Sequence, residues 1–218
     1  MISLALSASA GGYGCALRLA DGTVREEQQR DDLATPVARL FDRCRIAPSE
    51  LQQIIIDIGP GSYTGLRVAT SFANALRAFA DVAVHTASSL ELLALAAFDA
   101  DPSTQQTPLR PVLDARRHRV HHSLLHLDTT LEMLQPPRAT TGEELQALLT
   151  SNERLLVQES VRDLITPFAT KAELQVACLM PLEPMSLALR LFDPRLTLRV
   201  AATVDELQPL YLMGSYAD

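Results

Sequence analysis

The chain has 218 residues, enough for one large domain or two small ones, with a core that needs no disulfide or metal staple. Apolar residues make up 47% and charged residues 21%, the balance of a folded rather than a disordered chain. With 19 basic and 26 acidic residues, the net charge of −7 gives no global attraction to nucleic acid or anionic membrane. Lys171 is the only lysine, so P-loop and Schiff-base lysine chemistry are not expected. Cys15, Cys44 and Cys178 are far apart and form no CxxC pair; reduced cytosolic thiols are the simplest reading. The N-terminus lacks a basic residue before its short apolar run, and the longest apolar run, residues 92–98, is too short to span a bilayer. A cytoplasmic location is expected.

Residues 2–9 read as a buried strand, followed by the Gly11-Gly12 turn and a second strand over 13–20. Asp21-Gly22 is a strong hairpin signal and leads into a third strand over 23–28. Leu33, Val37, Leu40, Phe41 and Cys44 have helical spacing, so 31–45 reads as a helix. Residues 51–58 carry the β-branched run Ile54-Ile55-Ile56 of a central strand buried on both faces. A helix over 63–80, a strand over 82–86 and a helix from Ser88 or Ser89 to about 97 follow. The polar stretch 99–108 reads as a lobe boundary. Strands are expected at 111–115, 119–127 and, more weakly, 131–135, then a helix from Thr141 to Leu149. Residues 153–182 are ambiguous, 185–193 look helical, and the tail 203–213 combines a short helix start at Asp205 with an extended end. Two lobes, each opening with antiparallel strands and continuing into helices, suggest a duplicated α/β arrangement.

The segment from Ile54 to Arg67 runs from a buried strand through a glycine turn into a helix. Such a turn can offer backbone N–H groups to an anion. Its spacing is neither GxGxxG nor GxxxxGK[ST], and no GxSxG nucleophile elbow is present. A plain strand–helix turn with Ser62 or Thr64 as N-cap explains it equally simply. Gly65, Ala69 and Ala73 then recur every four residues, flanked by Leu66, Phe72, Leu76 and Phe79. That row suits close approach of a helix from another chain, or of the chain's own sheet. Arg116, Arg117 and Arg119 form the only basic cluster, able to contact an anion or simply to cap a solvated hairpin. His118 and His122 have a zinc-like spacing, but on a hairpin four residues span about 13 Å, so no shared metal is expected.

Gly59-Pro60-Gly61-Ser62-Tyr63-Thr64-Gly65-Leu66-Arg67 resembles the GPGSFTGLR signature of the TsaB (YeaZ) family. Four further segments are collinear with that family. Leu4 to Ser9 stands where it has a strand ending in Asp-Thr-Ser, and Ser88-Ser89-Leu90-Glu91 resembles its S-S-L-E helix start. Asp114-Ala115-Arg116-Arg117 matches its DARR turn, and Pro209-Leu210-Tyr211-Leu212 its P-x-Y-L end. The resemblance implies an actin/Hsp70/sugar-kinase-like α/β fold. Residues 1–100 would form the lobe carrying the signature and docking helices. Residues 101–218 would form a smaller, more divergent lobe, with the C-terminal tail able to return to the first.

It also implies a non-catalytic subunit that pairs with the catalytic paralogue TsaD, beside a TsaE-like ATPase. That assembly installs threonylcarbamoyl on adenosine 37 of tRNA. The implied partner surface is Leu33, Val37, Leu66, Arg67, Ala69, Thr70, Phe72 and Ala73, through which the chain could also self-associate. The implied signature turn is Gly59, Pro60, Gly61, Ser62, Thr64 and Gly65; Arg116 and Arg117 are candidate anion contacts. No catalytic residue, metal or cofactor is expected in the isolated chain. Nucleotide (ATP or ADP) would enter only through the partner or complex, and tRNA only through the complex. Ser7 departs from the family by replacing its aspartate, and Arg30-Asp31-Asp32 replaces a common His-Ser. A degenerate small-molecule kinase of the same superfold is the alternative; it would need a carboxylate near Ser7 and a second phosphate loop. A peptidase is a third reading, disfavoured by the missing HExxH.

Overall fold

The turn signals of the first thirty residues produce the expected meander. The structure is a computed structural model, and it describes residues 1–102, 107–172, 174–179 and 183–212. The first stretch contains β1 (Ser3–Ser7), β2 (Tyr13–Arg18), β3 (Val24–Gln29), α1 (Ala34–Cys44), β4 (Gln53–Asp57), α2 (Tyr63–Ala80), β5 (Ala83–Ala87) and α3 (Ser89–Ala100). Next come β6 (Leu109–Asp114), β7 (Arg119–Leu127), β8 (Leu131–Thr141), α4 (Gly142–Gln146), β9 (Arg154–Gln158), α5 (Arg162–Lys171) and β10 (Val176–Leu179). The chain ends with α6 (Pro184–Arg190) and β11 (Arg199–Val200).

The two sheets have the order β11-β5-β4-β1-β2-β3 and β10-β9-β6-β7-β8. Without the β11 edge they are the same pattern. In each, an antiparallel three-strand meander comes first, and two parallel strands are then added beside its first strand through helical crossovers. This is the duplicated mixed α/β class expected from the sequence. Contacts divide the chain into Met1–Leu92 with Leu182–Leu210, and Leu93–Pro181 with Tyr211–Asp218. The division falls within α3 rather than at 100/101, and α6 and β11 group with the first unit.

In the first unit, β1 and β4 align Leu4 with Ile54 and Leu6 with Ile56. With Cys15, Leu17 and Val84 they form one apolar sheet face, covered by Val37, Leu40 and Phe41 of α1 and Ala69 and Ala73 of α2. α6 packs on β2 through Gly14, where a Cβ would stand 2.2 Å from the Pro184 carbonyl carbon and oxygen. In the second unit, Val112, Val120, Leu155 and Val157 pack against Leu145 of α4 and Ile165 and Ala169 of α5. Beside them lies a fully buried guanidinium. Arg110 grips both carboxylate oxygens of Glu153 (3.0 and 2.8 Å) and also reaches His122 Nδ1 and Gln135 Oε1. Burial and Arg110 push the His122 pKa down to about 3, so its ring is neutral at ordinary pH.

Several boundaries differ from expectation. β8 runs to Thr141 rather than stopping near 135. It lies at a sheet edge, and Pro136 and Pro137 fall at a bulge, two residues against Ser123 between the His122–Arg138 and Leu124–Gln135 pairs. The ambiguous stretch resolves into β9, α5 and β10, with Pro167 inside α5. No helix starts at Asp205; residues 203–206 form a turn, and β11 was not foreseen. Parts of the expected boundary segment (103–106), of the ambiguous stretch (173 and 180–182) and of the tail (213) lie outside the described residues. Among the described residues no helix is long and apolar enough to cross a membrane.

The Gly14 contact sets how closely α6 can approach the sheet. Gly14→Ala is expected to lower stability by about 1–3 kcal/mol, because the clash is with backbone and not with a flexible side chain. The midpoint of urea unfolding measures it; Gly11→Ser, where no atom stands near the added Cβ but φ is 79°, is expected to cost only the about 1–2 kcal/mol of left-handed backbone.

Candidate functional site

The signature turn is built around a carboxylate that the sequence reading did not single out. Asp57 closes β4 and is completely buried. Its Oδ1 accepts from the Gly59 N–H (2.9 Å) and the Ser89 hydroxyl (2.7 Å). Its Oδ2 accepts from the Ser7 hydroxyl (2.9 Å) and the Ser9 hydroxyl (2.5 Å). The end of β1 thus offers hydroxyls only, as expected, but the neighbouring strand supplies the acid group. Burial pushes the Asp57 pKa above the ordinary aspartate value; hydrogen bonds from Ser9, Ser89, Gly59 and Ser7 act in the opposite direction. A charged residue ending a β-branched run was the available signal.

Backbone bonds fix the rest of the turn. The Ser62 N–H donates to the Ser9 carbonyl (2.9 Å), and the Ser89 N–H donates to the Gly59 carbonyl (2.8 Å). The Leu210 N–H donates to the Ile58 carbonyl (2.8 Å), so the P-x-Y-L segment meets the signature. The Gly59–Pro60 peptide is cis. Ser62, not Thr64, caps α2: its Oγ accepts from the Gly65 N–H at 3.2 Å. At the start of α3, Ser88 and Glu91 form the cap, while Arg199 pairs with Glu91 at 2.8 Å. Ser89 is therefore left to serve Asp57.

The expected docking row is corrected by burial. Ala69 and Ala73 are fully buried; Leu33, Val37 and Leu66 are 2% exposed and Thr70 5%. A Cβ on Gly65 would stand 2.2 Å from the Ala8 carbonyl oxygen. The small residues let α2 settle on the chain's own β1 and β4, so this row is not a surface of the folded chain. Of the eight residues assigned to the partner surface, Arg67 is exposed and Phe72 half-buried. The outward face of α2 is instead Tyr63, Thr64, Arg67, Val68, Ser71, Ala75, Ala78 and Phe79. Phe79 is 87% exposed, and the Arg67 guanidinium donates to the Tyr63 hydroxyl at 3.0 Å.

Arg116 and Arg117 are exposed at the β6–β7 hairpin tip, outside the first unit. Arg116, Arg117 and His118 have φ of 68°, 50° and 59°. Left-handed backbone costs a residue with a Cβ about 1–2 kcal/mol. His118 is at this exposed tip, while His122 is buried with Nδ1 facing Arg110. Among the described residues no three His, Cys, Asp or Glu side chains are placed to share a metal ion.

Because the folded pKa of Asp57 is raised, its contribution to stability is greatest below the unfolded value, near 3.8, and is lost as pH rises through the folded value. Asp57→Asn removes this dependence, since Asn can accept from Gly59 and Ser89 while rotated serine hydroxyls accept from its amide. Its thermal stability relative to the parent is expected to improve from pH 4 to pH 8. Asp57→Ala leaves four donors without their acceptor and is expected to cost about 2–4 kcal/mol at pH 4 and less at pH 8, where the parent has lost part of the Asp57 contribution. Melting temperatures of the three proteins across that range test both expectations.

The family model for TsaD, described as tRNA N6-adenosine threonylcarbamoyltransferase, matches residues 24–168. The tRNA threonylcarbamoyladenosine biosynthesis protein TsaB of Bacillus subtilis (strain 168) is 30% identical over 161 residues, covering 71% of this chain and 68% of that protein. YeaZ from Pseudomonas aeruginosa superposes with a TM-score of 0.68 at 19% identity, over 88% of this chain and 91% of that one. A second solved structure, described as an uncharacterized protein with similarity to peptidase YEAZ from Pseudomonas aeruginosa, gives 0.70 at 18% identity over 97% and 99%. The solved structures establish the fold, and the family model and the B. subtilis relative establish descent: this chain belongs to the TsaB (YeaZ) family of tRNA threonylcarbamoyladenosine biosynthesis proteins.

Proposed function

We propose that this chain is the non-catalytic scaffold of a cytoplasmic tRNA threonylcarbamoyladenosine complex, pairing with a TsaD-like transferase. A TsaE-like ATPase acts alongside, and the chain can self-associate through the same helices when the transferase is absent. The observation that carries the reading is the outward face of α2. On a chain with 21% charged residues, its eight exposed positions from Tyr63 to Phe79 include a single charge, Arg67. Small and apolar side chains, Val68, Ala75, Ala78 and Phe79, make up half of that face. Such a surface suits another helix better than water. On α1 the exposed Ala34, Thr35 and Ala38 are uncharged, while Arg39, Asp42 and Arg43 make the rest of its exposed positions charged. The three uncharged residues replace Leu33 and Val37 as the α1 residues offered to a partner.

The signature turn supports a non-catalytic role. Two N–H groups that a phosphate would need, those of Gly59 and Ser62, are spent on Asp57 and on the Ser9 carbonyl. The chain's own carboxyl already occupies the turn, in the place where a second acceptor would have to bind. The hydroxyls of Ser7, Ser9 and Ser89 all donate to Asp57, and Ser7 and Ser89 are buried, 0% and 2% exposed, so neither of those two is offered to a substrate. ATP turnover, threonylcarbamoyl transfer and peptide cleavage are therefore not expected of the isolated chain. Nucleotide enters only through the partner or complex.

Ala75→Arg places a long cation in the outward face without touching the core. Burying that charge unpaired costs about 3–5 kcal/mol, which is over a hundredfold in the dissociation constant of the complex. The expected result is lost co-elution with the transferase, lost tRNA modification and an unchanged melting temperature. Ala69→Arg is expected to fail earlier, by unfolding, because Ala69 is core. Undiminished assembly by folded Ala75→Arg would refute the interface assignment.

A further inference from the structure

We propose that the β6–β7 hairpin tip is a contact for the phosphodiester backbone of tRNA held by the assembled complex; this rests on the functional reading above. The Arg119 N–H donates to the Arg116 carbonyl at 3.0 Å, which makes Arg117 and His118 the central pair of a reverse turn. Both have positive φ, as does Arg116 before them. The loop has three residues, since the Ala115 N–H donates to the Arg119 carbonyl at 3.0 Å, and a reverse turn with positive φ at both centres is the one that asparagine and glycine fill without cost. This chain places arginine and histidine there instead.

Burial does not account for that choice. Arg116, Arg117 and His118 are exposed, and the turn is held by backbone bonds and by Asp114, whose Oδ1 accepts from the Arg116 N–H at 2.7 Å. The neighbouring Arg119 is differently employed, donating to the Ala139 carbonyl at 2.7 Å and reaching Glu144 at 3.4 Å. The Arg116 side chain is 81% exposed, and its nearest carboxylate, Asp114, stands 3.8 Å away. Strained backbone that carries exposed cationic side chains is best explained by what those side chains meet. The tip carries no exposed apolar residue; Ala115 is buried. A protein interface depends on apolar and aromatic anchors, whereas a phosphate needs only the guanidinium fork. Among the classes of partner, the sugar-phosphate backbone of RNA therefore fits best.

The test uses the complex of this chain with its transferase and unmodified tRNA, comparing the parent, the double variant Arg117→Asn with His118→Gly, and Arg116→Gln. The double variant has the residues the turn favours, so its isolated chain is expected to melt higher by about 2–4 °C. In the complex it is expected to bind tRNA about threefold to tenfold more weakly at 0.15 M salt, with the log–log salt slope shallower by about 1. Arg116→Gln is expected to weaken binding similarly without the gain in melting temperature. Unchanged tRNA affinity and salt slope in fully assembled variant complexes would overturn the inference. So would loss of assembly by these variants, which would assign the tip to an acidic protein surface. Failure of the parent chain to join the transferase would overturn the functional reading and this inference together.

Discussion

A carboxylate buried at the end of a central strand has to be met by donors, and the demands of Asp57 organise the first unit. Its four donors come from the end of β1, the turn after it, the signature loop and the first residue of α3. None of them is a cation, so its charge is held by dipoles alone. Hydrogen bonds to an ionised acceptor are worth about 1.5–3 kcal/mol each, while removing a carboxylate from water costs several. The net contribution to stability is therefore small, and the geometric requirement is large. The acceptor is satisfied only when all these segments are in place together. The Ser62–Ser9 and Ser89–Gly59 backbone bonds then fix where α2 and α3 begin.

From that starting point the two sides of α2 answer to different constraints. The inward row must be small because Gly65 sits against the Ala8 carbonyl and Ala69 and Ala73 lie on the sheet. Any larger residue there would lift the helix from the same turn that Asp57 holds. The outward face meets no such limit, and water would ordinarily fill it with charge. Its near absence of charge is thus informative about a partner in a way that the small inward row is not.

The same distinction explains what could be read from the residues alone. α2 was expected at 63–80 and is found there, because Ser62 caps it and Asp81 ends it in left-handed conformation. The Asp21-Gly22 hairpin, the isoleucine strand and β7 were legible for similar local reasons. The direction in which the four-residue row faces was not. Helical spacing defines a stripe, and a stripe of small residues fits a sheet as well as a helix from another chain. Long-range partners were invisible as well. Asp57 meets Ser7 across 50 positions, and Arg110 meets Glu153 across 43. In the second unit, α4 has five residues and α5 contains Pro167, so neither gives a clean period.

Net charge and local charge act over different distances, which reconciles an acidic scaffold with a basic tip. At physiological salt the screening length is about 8 Å, so the chain's −7 decides how it meets a polyanion from afar and little about contact. In the function proposed above, an acidic subunit that approaches tRNA poorly alone would be carried there by its partner. Once placed, only groups at the surface of contact matter. The exposed pair of Arg116 with Asp114 is worth about 1 kcal/mol or less, so exchanging that carboxylate for a phosphate costs little. The buried pair of Arg110 with Glu153 cannot be exchanged at all, since both side chains are fully enclosed. Arg110 and Arg116 thus divide by burial, the first holding the second unit together and the second facing what lies outside it.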